Sequence, residues 1–135
     1  MTKLLLLAGA PGAGKTTWAN SLFSLKYTVI GPSEKPRLED LLNHNVDTII
    51  DGAAGLSRVY RRELLDTCEK FGAEPHLVLF KNVLEATTRN AAKGDAGWSE
   101  NMMEITMDMY YDTLAEIVQE PWKSVTKVES YQWNV

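Results

Sequence analysis

The sequence predicts an α/β fold: a doubly wound parallel sheet of about five strands in a three-layer α/β/α arrangement. Three observations predict it. Lys3 to Ala8 is a continuous apolar run, the mark of a strand buried on both faces. Short apolar runs recur after it, at Tyr27 to Ile30, Asp47 to Asp51, Pro75 to Phe80 and within Trp122 to Glu129. Segments with helical spacing separate them, and strands alternating with helices form a parallel sheet.

The elements follow in order. The loop Gly9 to Gly14 leads from the first strand into a helix over about Lys15 to Leu25. Gly31-Pro32-Ser33-Glu34-Lys35-Pro36 is a loop by its punctuation, and Arg37 to about Asn43 is helical. The third strand ends in Asp51, and Gly52 to Gly55 is a loop. Ser57 caps the next helix, whose apolar stripe is Leu64, Leu65, Cys68 and Phe71, and Gly72 stops it. Val83 to about Ala92 reads as a helix, and Lys93 to Trp98 as a glycine-containing loop. Ser99 caps a long helix to about Gln119, with Met103, Met107, Tyr110, Leu114, Ile117 and Val118 on one face, and Pro121 ends it.

The 135 residues are expected to form one domain, 1–135. Hydrophobic residues make up 44% and charged residues 24%, a globular balance. The net charge of −4, from 14 basic and 18 acidic residues, argues against a protein that coats nucleic acid non-specifically. A lone cysteine, Cys68, forms no internal disulfide, and no apolar run reaches membrane length. A cytoplasmic protein without a membrane partner is expected.

Gly9-Ala10-Pro11-Gly12-Ala13-Gly14-Lys15-Thr16 fits the phosphate-loop (Walker A) pattern G-x-x-x-x-G-K-[ST] without a mismatch. The glycines let backbone amides curl around an anion, and the helix that follows turns its positive end towards it. Lys15 is placed to reach the β- and γ-phosphates, Thr16 to coordinate Mg²⁺ and Thr17 to complete the ATP cradle. An acid ending a strand, here Asp51, holds the magnesium shell from the far side. The expected cofactors are ATP and Mg²⁺.

A kinase of this size needs three further parts: a carboxylate for the acceptor hydroxyl, cations for the moving charge, and a lid against water. Glu34 is the carboxylate candidate, with Arg37 three residues on for an acceptor phosphate. The lid candidate is about 89–98, where Arg89 and Lys93 lie four apart and Gly94 and Gly97 give freedom to close. Arg58, Arg61 and Arg62 open the helix after Ser57 and are read as lining a path for acceptor phosphates.

These motifs, in this order, resemble those of the P-loop polynucleotide 5′-hydroxyl kinases, in particular the kinase domain of phage polynucleotide kinase. The resemblance, which extends to the zeta-toxin and adenylate-kinase-like P-loop kinases, rests on GAPGAGKTTW, an acid three before arginine after the second strand, DG with a following arginine pair, and RN-x-x-K-G, over about residues 1–115. It implies transfer of the γ-phosphate of ATP to a 5′-hydroxyl of DNA or RNA. By position, Glu34 activates that hydroxyl, Arg37 grips the 3′-phosphate of the terminal nucleotide and Arg89 reaches the donor phosphates. Three departures stand out: Glu34 replaces the family aspartate, Lys93 replaces a second lid arginine, and no D-x-D-G-T stretch of a fused phosphatase occurs.

Two other readings stay open. One is a P-loop kinase of a nucleoside, nucleotide, modified base or other small molecule, which the acidic net charge favours. The other is an ATP-binding module without phosphotransfer.

Overall fold

The computed structural model describes residues 2–9, 18–19, 27–80 and 100–128. Five strands, β1 (Lys3–Ala8), β2 (Thr28–Ile30), β3 (Thr48–Ile50), β4 (Glu74–Phe80) and β5 (Ser124–Val128), form one sheet in the order β2-β3-β1-β4-β5. Every neighbouring pair is parallel. The described helices are α1 (Lys35–Asn43), α2 (Arg58–Phe71) and α3 (Glu100–Glu116), with 3₁₀ turns at Ala53–Leu56 and Ile117–Gln119. The expected α/β fold and its five strands are therefore observed.

β1 is central, and Leu4, Leu6, Leu7 and Ala8 are fully buried, because layers cover it on both sides. Connections β2–β3, β3–β4 and β4–β5 all step one way across the sheet. Right-handed crossovers then place α1, α2 and α3 on one face. The β1–β2 connection steps the other way and places helical Trp18 and Ala19 on the opposite face, where Trp18 meets Phe80 edge-on at 5.9 Å.

Local sequence explains the helix boundaries. Pro36 sits in the first turn of α1, where a missing N–H leaves no bond unmade. At its other end Asn45 takes a left-handed conformation (φ 58°), and Val46 N–H donates to Leu41 O at 2.9 Å. The Ser57 hydroxyl accepts from Tyr60 N–H at 3.3 Å and opens α2. Gly72 closes it at φ 68°, and Ala73 N–H returns to Cys68 O at 2.9 Å. Nothing lies within 4 Å of where a Cβ at Gly72 would stand. Gly72→Ala therefore carries only the left-handed backbone penalty, an expected loss of about 1–2 kcal/mol measurable by urea unfolding.

Three expectations are corrected. Gly52 to Gly55 is not all irregular loop, because Ala53–Leu56 winds as a 3₁₀ turn against β1. Val118 is 78% exposed, because α3 tightens into a 3₁₀ turn at Ile117 and swings the next side chain outward. Arg61, read with Arg58 and Arg62 as lining a path for acceptor phosphates, is instead fully buried on the stripe it shares with Leu64 and Cys68. The helix over 15–25 apart from Trp18 and Ala19, the helix over 83–92, the lid segment and the tail beyond Val128 lie outside the described residues.

Candidate functional site

In an open parallel sheet, ligands bind outside the carboxyl ends of strands, at the strand where successive connections diverge. Here that strand is β1: its own connection runs towards β2, while those of β3 and β4 run the opposite way. Register brings the strand ends level, with Leu6 beside Ile50 and Ile50 beside Ile30. Buried Gly9 continues from the end of β1, and Gly31 and Asp51 continue from β2 and β3 at the same edge. Asp51 N–H donates to Ile30 O at 2.9 Å, which locks the two neighbouring exits together.

Glu34 stands at the mouth of this edge. Its Oε2 accepts from Gly31 N–H at 2.6 Å, and its Oε1 accepts from Arg37 Nη1 at 3.2 Å. The backbone closes the same turn, with Glu34 N–H on Gly31 O at 3.3 Å. The Gly31 amide, then the Arg37 hydrogen bond, hold the Glu34 carboxyl below its usual range, with a small opposing desolvation. The side chains of Arg37 and Glu34 remain 55% and 40% exposed, so the pair is an accessible one.

The turn is braced from two sides. The Tyr60 hydroxyl donates to Pro32 O at 3.2 Å. Burial, and then the charge of Glu63, push the Tyr60 phenol up to about 12, so it stays a neutral donor. From β3, Gly52 lies so close to Pro32 that a Cβ would stand 2.7 Å from Pro32 Cδ. Between α1 and α2, over Ile30 and Ile50, a cavity of about 210 Å³ opens beside Glu34. Leu38, Tyr60 and Leu64 make its walls largely apolar, with Glu63 and Thr67 as polar points. It has room for one small ring system and not for a chain of nucleotides.

The structure thus brings Gly9, Glu34, Arg37 and Asp51 to one edge. Arg58 and Arg62 lie elsewhere, on the flank of α2 that faces α3, in a groove of about 490 Å³ with Asp66, Glu116 and Gln119. Among the described residues neither arginine forms an ion pair. The cradle residues Pro11, Gly12, Ala13, Gly14, Lys15, Thr16 and Thr17, and the lid cations Arg89 and Lys93, lie outside the described residues. Among the described residues no three His, Cys, Asp or Glu gather as a metal cluster. Asp51 directly follows Ile50, which pairs with Leu6 of adjacent β1, and its carboxylate is of the oxygen-donor type that a magnesium ion takes. Sequence reasoning missed the Gly31 amide and Tyr60. The first had a signal, since a glutamate three residues after a strand-ending glycine can fold back onto its amide.

No family model matches the chain, and no curated protein matches it. Solved structures do. The YorR protein from Bacillus subtilis, in complex with phosphorylated GDP, matches with a TM-score of 0.60 and 18% identity over 98% of this chain and 88% of that one. Kti12 from Chaetomium thermophilum, in complex with ADP-AlF3, matches with a TM-score of 0.59 and 11% identity over 97% and 89%. APE1195 matches with a TM-score of 0.51 and 18% identity over 93% and 84%. At these identities the likeness is one of fold, a five-stranded all-parallel α/β sheet. No described helix is long and apolar enough to cross a membrane.

Proposed function

We propose that this protein is an ATP- and Mg²⁺-dependent kinase that transfers the γ-phosphate to a 5′-hydroxyl of DNA or RNA. The observation that carries the reading is the Glu34 carboxylate. It is held ionised at the carboxyl edge of the sheet, the same edge at which GAPGAGKT leaves β1, two strands from β2. The neighbours of this fold that hold phosphorylated GDP and ADP-AlF3 support nucleotide binding.

In this reading Lys15, Gly12 to Gly14 and Thr17 cradle the donor phosphates, and Arg89 and Lys93 approach from the lid. Thr16 and Asp51 would hold Mg²⁺, which would supply positive charge against the phosphates of the donor. Arg37 places the acceptor phosphate, whereas Arg58 and Arg62 stand apart from it in the α2–α3 groove. The acceptor oxygen forms a bond to the γ-phosphorus as the bond to the ADP oxygen breaks, and its proton passes to Glu34. A carboxylate held at low pKa is a weak base. That suffices, because phosphoryl transfer is loose and asks more for orientation than for early deprotonation. Each Glu34 oxygen keeps a second lone pair beyond its bond to Gly31 or Arg37, so the acceptor hydroxyl has an open acceptor.

One observation favours a second reading, a small-molecule acceptor. The cavity beside Glu34 admits one ring, and Arg58 and Arg62 face a different groove. Transfer of labelled γ-phosphate to 5′-hydroxyl oligomers, 3′-mononucleotides, nucleosides and 5′-mononucleotides separates the two. Label on oligomers or 3′-mononucleotides, abolished by Lys15→Ala, is the expected result. Label only on nucleosides or 5′-mononucleotides establishes the second reading. ATP binding without label on any acceptor leaves a nucleotide-binding module.

A further inference from the structure

The buried guanidinium of Arg61 has no part in the mechanism above, yet it holds three segments of the chain at once. Its Nε donates to Glu120 at 2.9 and 3.2 Å, and its Nη2 to Glu116 Oε1 at 2.5 Å. Its Nη1 donates to Thr113 Oγ1 at 3.1 Å and to the backbone carbonyl of Gly55 at 2.9 Å. The Thr113 hydroxyl donates in turn to Met109 O at 2.7 Å, with Leu56 O also within reach at 3.3 Å. Four of five N–H groups are engaged in a fixed fork, an arrangement no lysine reproduces.

Gly55 is the informative partner. It sits in the 3₁₀ turn that follows Asp51, pressed against the end of β1. A Cβ at Gly55 would stand 2.7 Å from Ala8 Cβ and from Leu7 O, and 2.8 Å from Ala8 Cα. Those atoms are core and backbone and have no room to yield. The Gly55 carbonyl therefore fixes where the turn lies on Leu7 and Ala8, and Arg61 fixes the Gly55 carbonyl. Gly9 and the phosphate-loop sequence come next in the chain.

We propose that Arg61 is a positioning residue for nucleotide binding, acting through the Gly55 carbonyl on the Leu7–Ala8 end of β1. The proposal rests on the nucleotide-binding part of the function above. An arginine that only locked α2 to α3 would change stability and leave nucleotide affinity in the folded protein alone. An arginine that sets the base of a phosphate cradle changes affinity as well.

Calorimetric titration of the full chain with ATP and with ADP tests this, at a temperature where circular dichroism shows each variant folded. Arg61→Lys keeps the charge and loses the fork, and its affinity is expected to fall by roughly tenfold. Gly55→Ala leaves Arg61 intact and lifts the turn off β1, and it is expected to lose affinity to a similar degree. It also carries the test if Arg61→Lys does not fold. Glu116→Gln loosens the opposite side of the fork and leaves the Gly55 bond in place, so its midpoint drops while affinity stays within twofold of wild type. Wild-type affinity in Arg61→Lys, or in Gly55→Ala where the first is unfolded, overturns the proposal. So does a Glu116→Gln loss as large as that of Arg61→Lys, because affinity would then merely track stability. Absence of ATP and ADP binding in the wild type overturns both this proposal and the function it rests on.

Discussion

Arg61→Met is expected to lower stability by about 3–5 kcal/mol, and the midpoint of thermal unfolding by roughly 10–15 °C. Methionine fills a similar volume, so cavity formation is not the source. The loss comes from what the guanidinium leaves behind. The Gly55 carbonyl and the Thr113 hydroxyl are buried and lose their donor. Glu116 and Glu120 keep their charges at 26% and 15% exposure, too little water for either to recover its hydration fully. Glu120 still accepts from Trp122 Nε1 at 2.8 Å, which limits the damage at that end. A domain of this kind has about 5–15 kcal/mol in total, so the variant approaches the threshold of folding at body temperature. Urea unfolding monitored through tryptophan fluorescence measures it. A loss below about 1 kcal/mol would mean that burying the ion cluster opposes folding about as much as its hydrogen bonds favour it.

Glu34→Gln is expected to reduce phosphotransfer by roughly 10²- to 10⁴-fold while ATP affinity stays unchanged. Glutamine keeps one carbonyl oxygen to accept from the Gly31 amide, while its NH₂ cannot accept from Arg37, so the turn keeps its amide bond and the change removes the charge together with the Arg37 bond. The pH profile gives an independent check. The Gly31 amide, and then Arg37, hold the wild-type carboxyl below the ordinary glutamate range. A base with a depressed pKa is active above that value and fails only as pH falls through it. The acid limb of the wild-type profile should therefore lie below the ordinary glutamate range, and Arg37→Ala should move it upward, towards that range. An acid limb near neutrality, or equal activity in Glu34→Gln, would remove Glu34 from the chemistry.

Much of the fold was legible because single residues announce their geometry. The leucine run announced a strand buried on both faces, Ser57 a helix start and Gly72 a helix stop, and all three stand where expected. Arg61 was misread because arginine is almost always exposed. Its spacing held the correction: positions 61, 64 and 68 share one helical face, and Leu64 and Cys68 are apolar. Its partners were beyond reach, since Glu116 and Glu120 come from more than fifty residues away and no local pattern couples them to α2. The site divides in the same way. The Glu34–Arg37 pair follows from spacing of three along one helix start, and it is observed. The different groove of Arg58 and Arg62 follows only from how α2 packs against α3, which local periodicity does not specify.

The position of β1 in the sheet has a consequence for how the chain is made. Leu4 to Leu6 pair with Thr48 to Ile50 on one side, and Lys3 to Ala8 pair with Glu74 to Leu79 on the other. β1 is synthesised before either of its neighbours, β3 and β4, and has both only when β4 is complete. At about 5–20 residues per second, synthesis leaves the leucine run without its second partner for several seconds. Helical segments can form locally in that interval, but the sheet cannot nucleate around its own centre until β4 emerges, and such non-local pairing is slow. β1, from which the GAPGAGKT sequence continues, is thus also a segment open to aggregation and to chaperone capture during synthesis.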